Sequence, residues 1–121
     1  MTSESIANHL RTLRRKSGLS QDDLAQILGF RCEIPVSRHE RSMTVPSTLT
    51  ALGYEVIFHV PVAQLFPGFY GTVEAGIEEQ IARMESELQL STEKGRNAAF
   101  IARKLEFFWE RKNPGANQAA R

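Results

Sequence analysis

The sequence predicts an all-α protein: five short helices followed by a longer helical hairpin. Apolar residues recur three and four positions apart along most of the chain, which is the spacing of one face of a helix. Hydroxyl and glycine residues fall where helices of that length would begin and end, at Gly18, Ser20, Gly29 and Ser47. Beyond Val73 two longer apolar stripes follow one another among Glu, Gln, Lys and Arg.

In the first helix Ile6, Ala7, Leu10 and Leu13 share a face, and Gly18 behind Lys16 and Ser17 supplies a terminating glycine with cations in the last turn. Ser20 then offers a hydroxyl cap, and Asp22 and Asp23 suit the positive end of a second helix of about eight residues. Its predicted inner face is Leu24, Ala25, Ile27 and Leu28, and it ends at Gly29. After a linker, residues 30–33, a third helix is expected around residues 36–41. Pro35 has no N–H and biases Ile34 away from the helical region, so this helix is predicted to start near Pro35, with Glu33 and Ile34 on a loop ahead of it.

Pro46 and Ser47 open a fourth helix, with Leu49, Leu52, Val56 and Ile57 predicted to face inward, and residues 61–66 make a short fifth. Pro67, Gly68 and Gly71 then punctuate the pattern, which places a boundary there: an N-terminal domain of residues 1–68, a hairpin of 69–112 and a flexible tail of 113–121. The hairpin's first helix runs from about Gly71 to Leu90 with the stripe Val73, Ile77, Ile81, Met84 and Leu88. Ser91 is the expected cap of the second, with Glu93 in its first turn. There Ala98, Ile101, Leu105 and Phe108 form one stripe, while Phe100, Phe107 and Trp109 lie off it. One hairpin cannot bury both sets, so a homodimer interface is predicted from Ile77, Ile81, Met84, Leu88, Phe100, Phe107 and Trp109; the alternative is a hairpin folded back as a monomeric cap.

With 121 residues, 41% hydrophobic and 24% charged, the chain has the size and balance of a single small globular unit plus an appendage. No apolar run reaches the roughly 18 residues of a membrane span, which predicts no membrane partner. The opening MTSESIANHLRTLRRK lacks the apolar segment and cleavage site of a secretory leader, and Cys32, the single cysteine, has no internal disulfide partner; both fit a cytoplasmic protein. The net charge of +1 argues against indiscriminate polyelectrolyte binding. Its distribution is uneven: residues 1–46 carry a net +2, with Arg14, Arg15 and Lys16 clustered, and the remainder a net −1.

The run from Leu13 to Gly29, LRRKSGLSQDDLAQILG, resembles the start of the phage-repressor and Cro-like (XRE family) helix-turn-helix regulators. The later Val36-Ser37-Arg38-His39-Glu40-Arg41, Pro46-Ser47 and Leu65-Phe66 resemble that family's following segments, so the likeness covers about residues 6–66. It implies a five-helix repressor-like DNA-binding domain, double-stranded DNA as partner, and a sequence-specific regulator, most often a dimeric repressor on a palindromic operator. By the same likeness Glu33, Ile34, Ser37 and Arg38 face the bases. Arg38 has the best chemistry for this, since a guanidinium binds guanine O6 and N7 bidentately. Phosphate contacts fall to Arg14, Arg15, Ser20, Gln21, Arg31 and Arg41, and Arg14 with Glu40 matches a structural ion pair.

The chain departs from that pattern in having one residue more before the recognition helix, in Pro35, in Ser42 where a glycine is common, and in a loop, residues 42–45, without cations. These departures keep open a second function: a protein-interaction module or antitoxin-like accessory factor with a degenerate helix-turn-helix. No catalytic constellation, metal-ligand spacing, cofactor motif or small-molecule effector site stands out. His9, His39 and His59 are solitary, His39 in a position that the likeness makes apolar. Cys32 is expected to be a small, half-buried packing residue, the alternative being a redox sensor.

Overall fold

The computed structural model describes residues 8–115. Within them the regular elements are all helices: α1 (Leu10–Lys16), α2 (Gln21–Leu28), α3 (Ile34–Glu40), α4 (Thr48–Phe58), α5 (Val62–Leu65), α6 (Pro67–Gln89) and α7 (Arg96–Lys112). The chain divides into two compact units between Glu74 and Ala75. No helix is long and apolar enough to cross a membrane among the described residues. Ile6, Ala7 and the expected flexible tail beyond Gly115 lie outside those residues.

The helix ends of the N-terminal unit follow from local chemistry. Gly18 takes φ +76 and its N–H returns to the Arg15 carbonyl at 3.1 Å, closing α1. Ser20 accepts from the Asp23 N–H at 2.9 Å while the Asp23 carboxylate accepts from the Ser20 N–H at 2.9 Å, a reciprocal capping box at the start of α2. Gly29, at φ +84, ends α2. Ser47 caps α4 by accepting from Thr50 N–H at 3.2 Å. Downstream, Glu55 accepts from the Val62 N–H at 3.0 Å and so caps α5 from the preceding helix.

Leu10, Leu24, Ala25, Val36, Tyr54, Leu65 and Phe66 form the buried core of this unit, flanked by Leu13, Leu28, Phe30, Ile57 and Phe58 among others. A succession of rings runs through it, Phe30, His39, Tyr54, Phe66 and Phe69, with neighbouring centroids 5.7–6.4 Å apart.

Several sequence expectations are corrected. α4 is rotated from its predicted setting: Tyr54 is fully buried with Ile57 and Phe58 beside it, whereas Leu49, Leu52 and Val56 are exposed. The helix is apolar on both sides, so periodicity could not choose between them; the large Tyr54 ring won the core. Ile27 is exposed because it lies beyond the arc that Leu24, Leu28 and Ala25 already fill. Cys32 is exposed, and the residue of this turn that packs against the core is the partly buried Phe30. Ile34 is the first residue of α3, not part of a preceding loop, and Pro35 occupies a first-turn position whose N–H needs no helical partner.

The punctuation at Pro67 marks a helix start, with Gly68 and Gly71 inside α6. In the second unit Ser91 does not cap α7. Its hydroxyl accepts from Glu93 N–H at 3.2 Å within the connecting turn, and the helix begins after Gly95, at φ +71. Phe108 is buried there, while Ile81, Leu88, Ala98, Ile101 and Leu105 are half-buried. Arg111 and Lys112 of α7 pair with Glu78 and Glu85 of α6 at 2.7 and 2.8 Å.

Candidate nucleic-acid interface

Three helices converge on the carboxylate of Glu40. It stands in the last turn of α3, and its Oε2 accepts from Arg14 Nε of α1 at 2.5 Å. Oε1 accepts from Arg14 Nη2 at 3.2 Å and from Gln21 Nε2, at the first position of α2, at 3.0 Å. Arg14 Nη1 donates to the Leu19 carbonyl at 2.9 Å in the turn between α1 and α2. The Arg14 and Glu40 side chains are 10% and 2% exposed, so this is a buried ion pair with its hydrogen-bonding capacity largely used, not a surface one. The hydrogen bond from Glu40 holds the Arg14 guanidinium still more firmly protonated, against the opposing effect of burial.

Above this pair lies an open cleft of about 360 Å³ lined by Arg11, Arg14, Arg15, Gln21, Glu40 and Arg41. The structure therefore brings together five of the residues singled out from the sequence and adds Arg11, which that reading missed. Arg11 precedes Arg15 by one helical turn, a spacing that puts both on one face of α1. Because Glu40 neutralises Arg14, the cleft's available positive charge is that of the exposed Arg11, Arg15 and Arg41. Those guanidiniums, beside first-turn N–H groups of α2 that have no intrahelical acceptor, suit an oxyanion such as a phosphate.

Ser20 is turned to its own helix as the cap, and Arg31 lies exposed in the turn before α3 rather than in the cleft. On α3, Ile34 and Arg38 are exposed and Ser37 is half-buried, the latter two three and four positions beyond Ile34 on one outward face; Arg41 is exposed at the C-terminal cap and Glu33 immediately before the helix. The opposite side carries Val36 and His39 into the core.

His39 shares a 2.8 Å hydrogen bond with the Tyr54 hydroxyl through Nδ1. Burial pushes the His39 pKa below its usual value and the Tyr54 pKa above its own. Asn8 adds a tie that the sequence did not signal: its amide donates to the His39 carbonyl at 2.8 Å and to Ser42 Oγ at 3.0 Å, and its Oδ1 accepts from Leu10 N–H. Ser42 itself is left-handed, at φ +57, the conformation for which a glycine is common.

Of the predicted dimer residues, Ile77, Met84, Phe100, Phe107 and Trp109 are exposed in the second unit, while Ile81 and Leu88 are half-buried. Compared with known proteins, the chain matches no protein-family model, no curated protein and no solved structure.

Proposed function

We propose that this chain is a sequence-specific DNA-binding regulator that works as a homodimer and represses by occupying a palindromic operator. The observation that carries the reading is that α3, whose outward face has Ile34, Ser37 and Arg38, ends through Glu40 and Arg41 in the arginine-lined cleft that also holds Arg11 and Arg15. One surface offers base-reading chemistry and the other phosphate-binding chemistry. The ordered likeness to Cro-like regulators over residues 6–66 supports it from the sequence. In this reading α1–α5 form the repressor-like domain and the exposed Phe100, Phe107 and Trp109 hold two copies together, so that two α3 helices meet half-sites about 34–36 Å apart.

A gel shift of the full chain on duplex DNA tests it. Arg38→Ala is expected to relax sequence preference by about 1–3 kcal/mol at one position of each half-site. Arg11→Ala or Arg41→Ala is expected to weaken binding to all sequences alike. An Arg38→Ala variant with unchanged preference would remove α3 from the reading role. The second reading, a protein-interaction module, draws on the exposed aromatics of α7 and on Glu33 at the head of α3. It is favoured if no duplex is shifted even at low salt, where phosphate attraction is strongest.

A further inference from the structure

α4 buries Tyr54, Ile57 and Phe58 on one side, yet its other side is also apolar. Leu49 is 81% exposed, Val56 71% and Leu52 48%, at spacings of three and four, and Val45 and Met43 in the preceding loop are 68% and 60% exposed. A helix apolar all round is ordinarily covered on all sides, and within the N-terminal unit this one is covered on only one. Val45 also lines, with Pro46, Ala51, Val62, Phe66 and Phe69, an apolar groove of about 190 Å³, so it belongs both to the exposed apolar set and to a recess.

The charge pattern narrows what covers this face. Residues 42–54 contain no charged side chain in a chain that is 24% charged, and the next one, Glu55, is engaged by the Val62 N–H. A phosphate backbone would require cations here, and a charged peptide would require counter-charges; residues 42–54 supply neither. A two-fold contact sets a surface against its own copy, which is unfavourable wherever like charges meet and is open to a surface that has none. We propose that the exposed face of α4, centred on Leu49, Leu52 and Val56, is a homotypic contact between the N-terminal units of two copies of this chain, separate from any contact made by α7.

The available area sets its strength. A fully exposed aliphatic side chain of this size offers on the order of 60–120 Å² of apolar surface, so five at these exposures give roughly 300 Å² per copy. Stable interfaces use about 800 Å² per partner. The contact is therefore weak alone and becomes populated where something else raises the local concentration of the two units.

Cysteine cross-linking of the full chain tests this in a Cys32→Ser background. Leu49→Cys and Val56→Cys, among the most exposed positions of the face, are each treated with a short bis-maleimide at tens of micromolar protein, with Thr12→Cys on exposed α1 surface as the control. Covalent dimer from both face positions at several times the control yield is expected, and adding Leu52→Glu is expected to bring that yield down to the control while circular dichroism and the melting curve show a folded protein. Yields equal to the control overturn the proposal. So does a result in which Phe107→Cys cross-links efficiently and the two α4 positions do not, because the copies then meet only through α7. A yield unchanged by Leu52→Glu in a folded protein overturns it as well.

Discussion

Arg14 keeps its charge in a buried place because Glu40 and the Leu19 carbonyl take its guanidinium hydrogen bonds. Removing the carboxylate leaves a buried charge unpaired, so Glu40→Ala is expected to cost about 3–5 kcal/mol in urea unfolding followed by circular dichroism. Glu79→Ala is the matched control: its pair with Arg83 has both side chains more than 60% exposed, and the expected loss is below about 1 kcal/mol. His39 supplies a pH dependence. Its pKa in the folded chain lies below the ordinary value of 6.5, so above that pH the ring is neutral in both states and contributes no slope. As pH falls below 6.5 the unfolded chain takes up the proton first and stability drops until the folded pKa is passed. A series of unfolding curves between pH 7.5 and 5 checks this, and His39→Gln is expected to flatten the slope. Arg14 and Glu40 were legible as a pair from the resemblance alone. Asn8 and Arg11 were not, because an amide tie to a carbonyl 31 residues away and a cleft lined by three helices exist only after folding.

At the scale of elements, ends were more legible than faces. Gly18, Ser20, Gly29 and Ser47 mark termini through chemistry local to a few residues, and each does so in the fold. Ser20→Ala is expected to lose about 1 kcal/mol by removing the acceptor for the Asp23 N–H. α4 shows where pattern reading stops: with apolar residues all round, its buried side is chosen by how Tyr54 packs against His39 and Phe66, contacts of long sequence separation. Thermal and urea unfolding can read that choice directly. Tyr54→Ala is expected to cost about 3–5 kcal/mol and Leu49→Ala no more than about 0.5 kcal/mol; equal losses would restore the predicted orientation. The start of α6, at Pro67 where about Gly71 is expected, and the cap of α7, not at Ser91, depart from the sequence reading for a shared reason. A proline is as much at home in the first turn of a helix as in a break, and a serine caps a turn as readily as a helix.

Across the whole molecule the near-neutral net charge and the arginine cleft are compatible because the positive charge is concentrated, not abundant. With Arg11, Arg15 and Arg41 as the phosphate cations, two bound copies would neutralise about six phosphates, and the logarithm of affinity should fall with the logarithm of salt at a slope of roughly −5. Arg41→Ala should make that slope shallower by about 2 for a dimer, which binding curves between 50 and 300 mM salt would resolve. The most direct test of DNA reading by α3 is selection of bound sequences from a randomised duplex library by the full chain, repeated with Arg38→Ala. Enrichment of a palindrome whose half-sites lie one helical turn apart is expected, with preference lost at one symmetric pair of positions in the variant. A library that emerges unenriched, or an enriched motif that Arg38→Ala leaves intact, would contradict it.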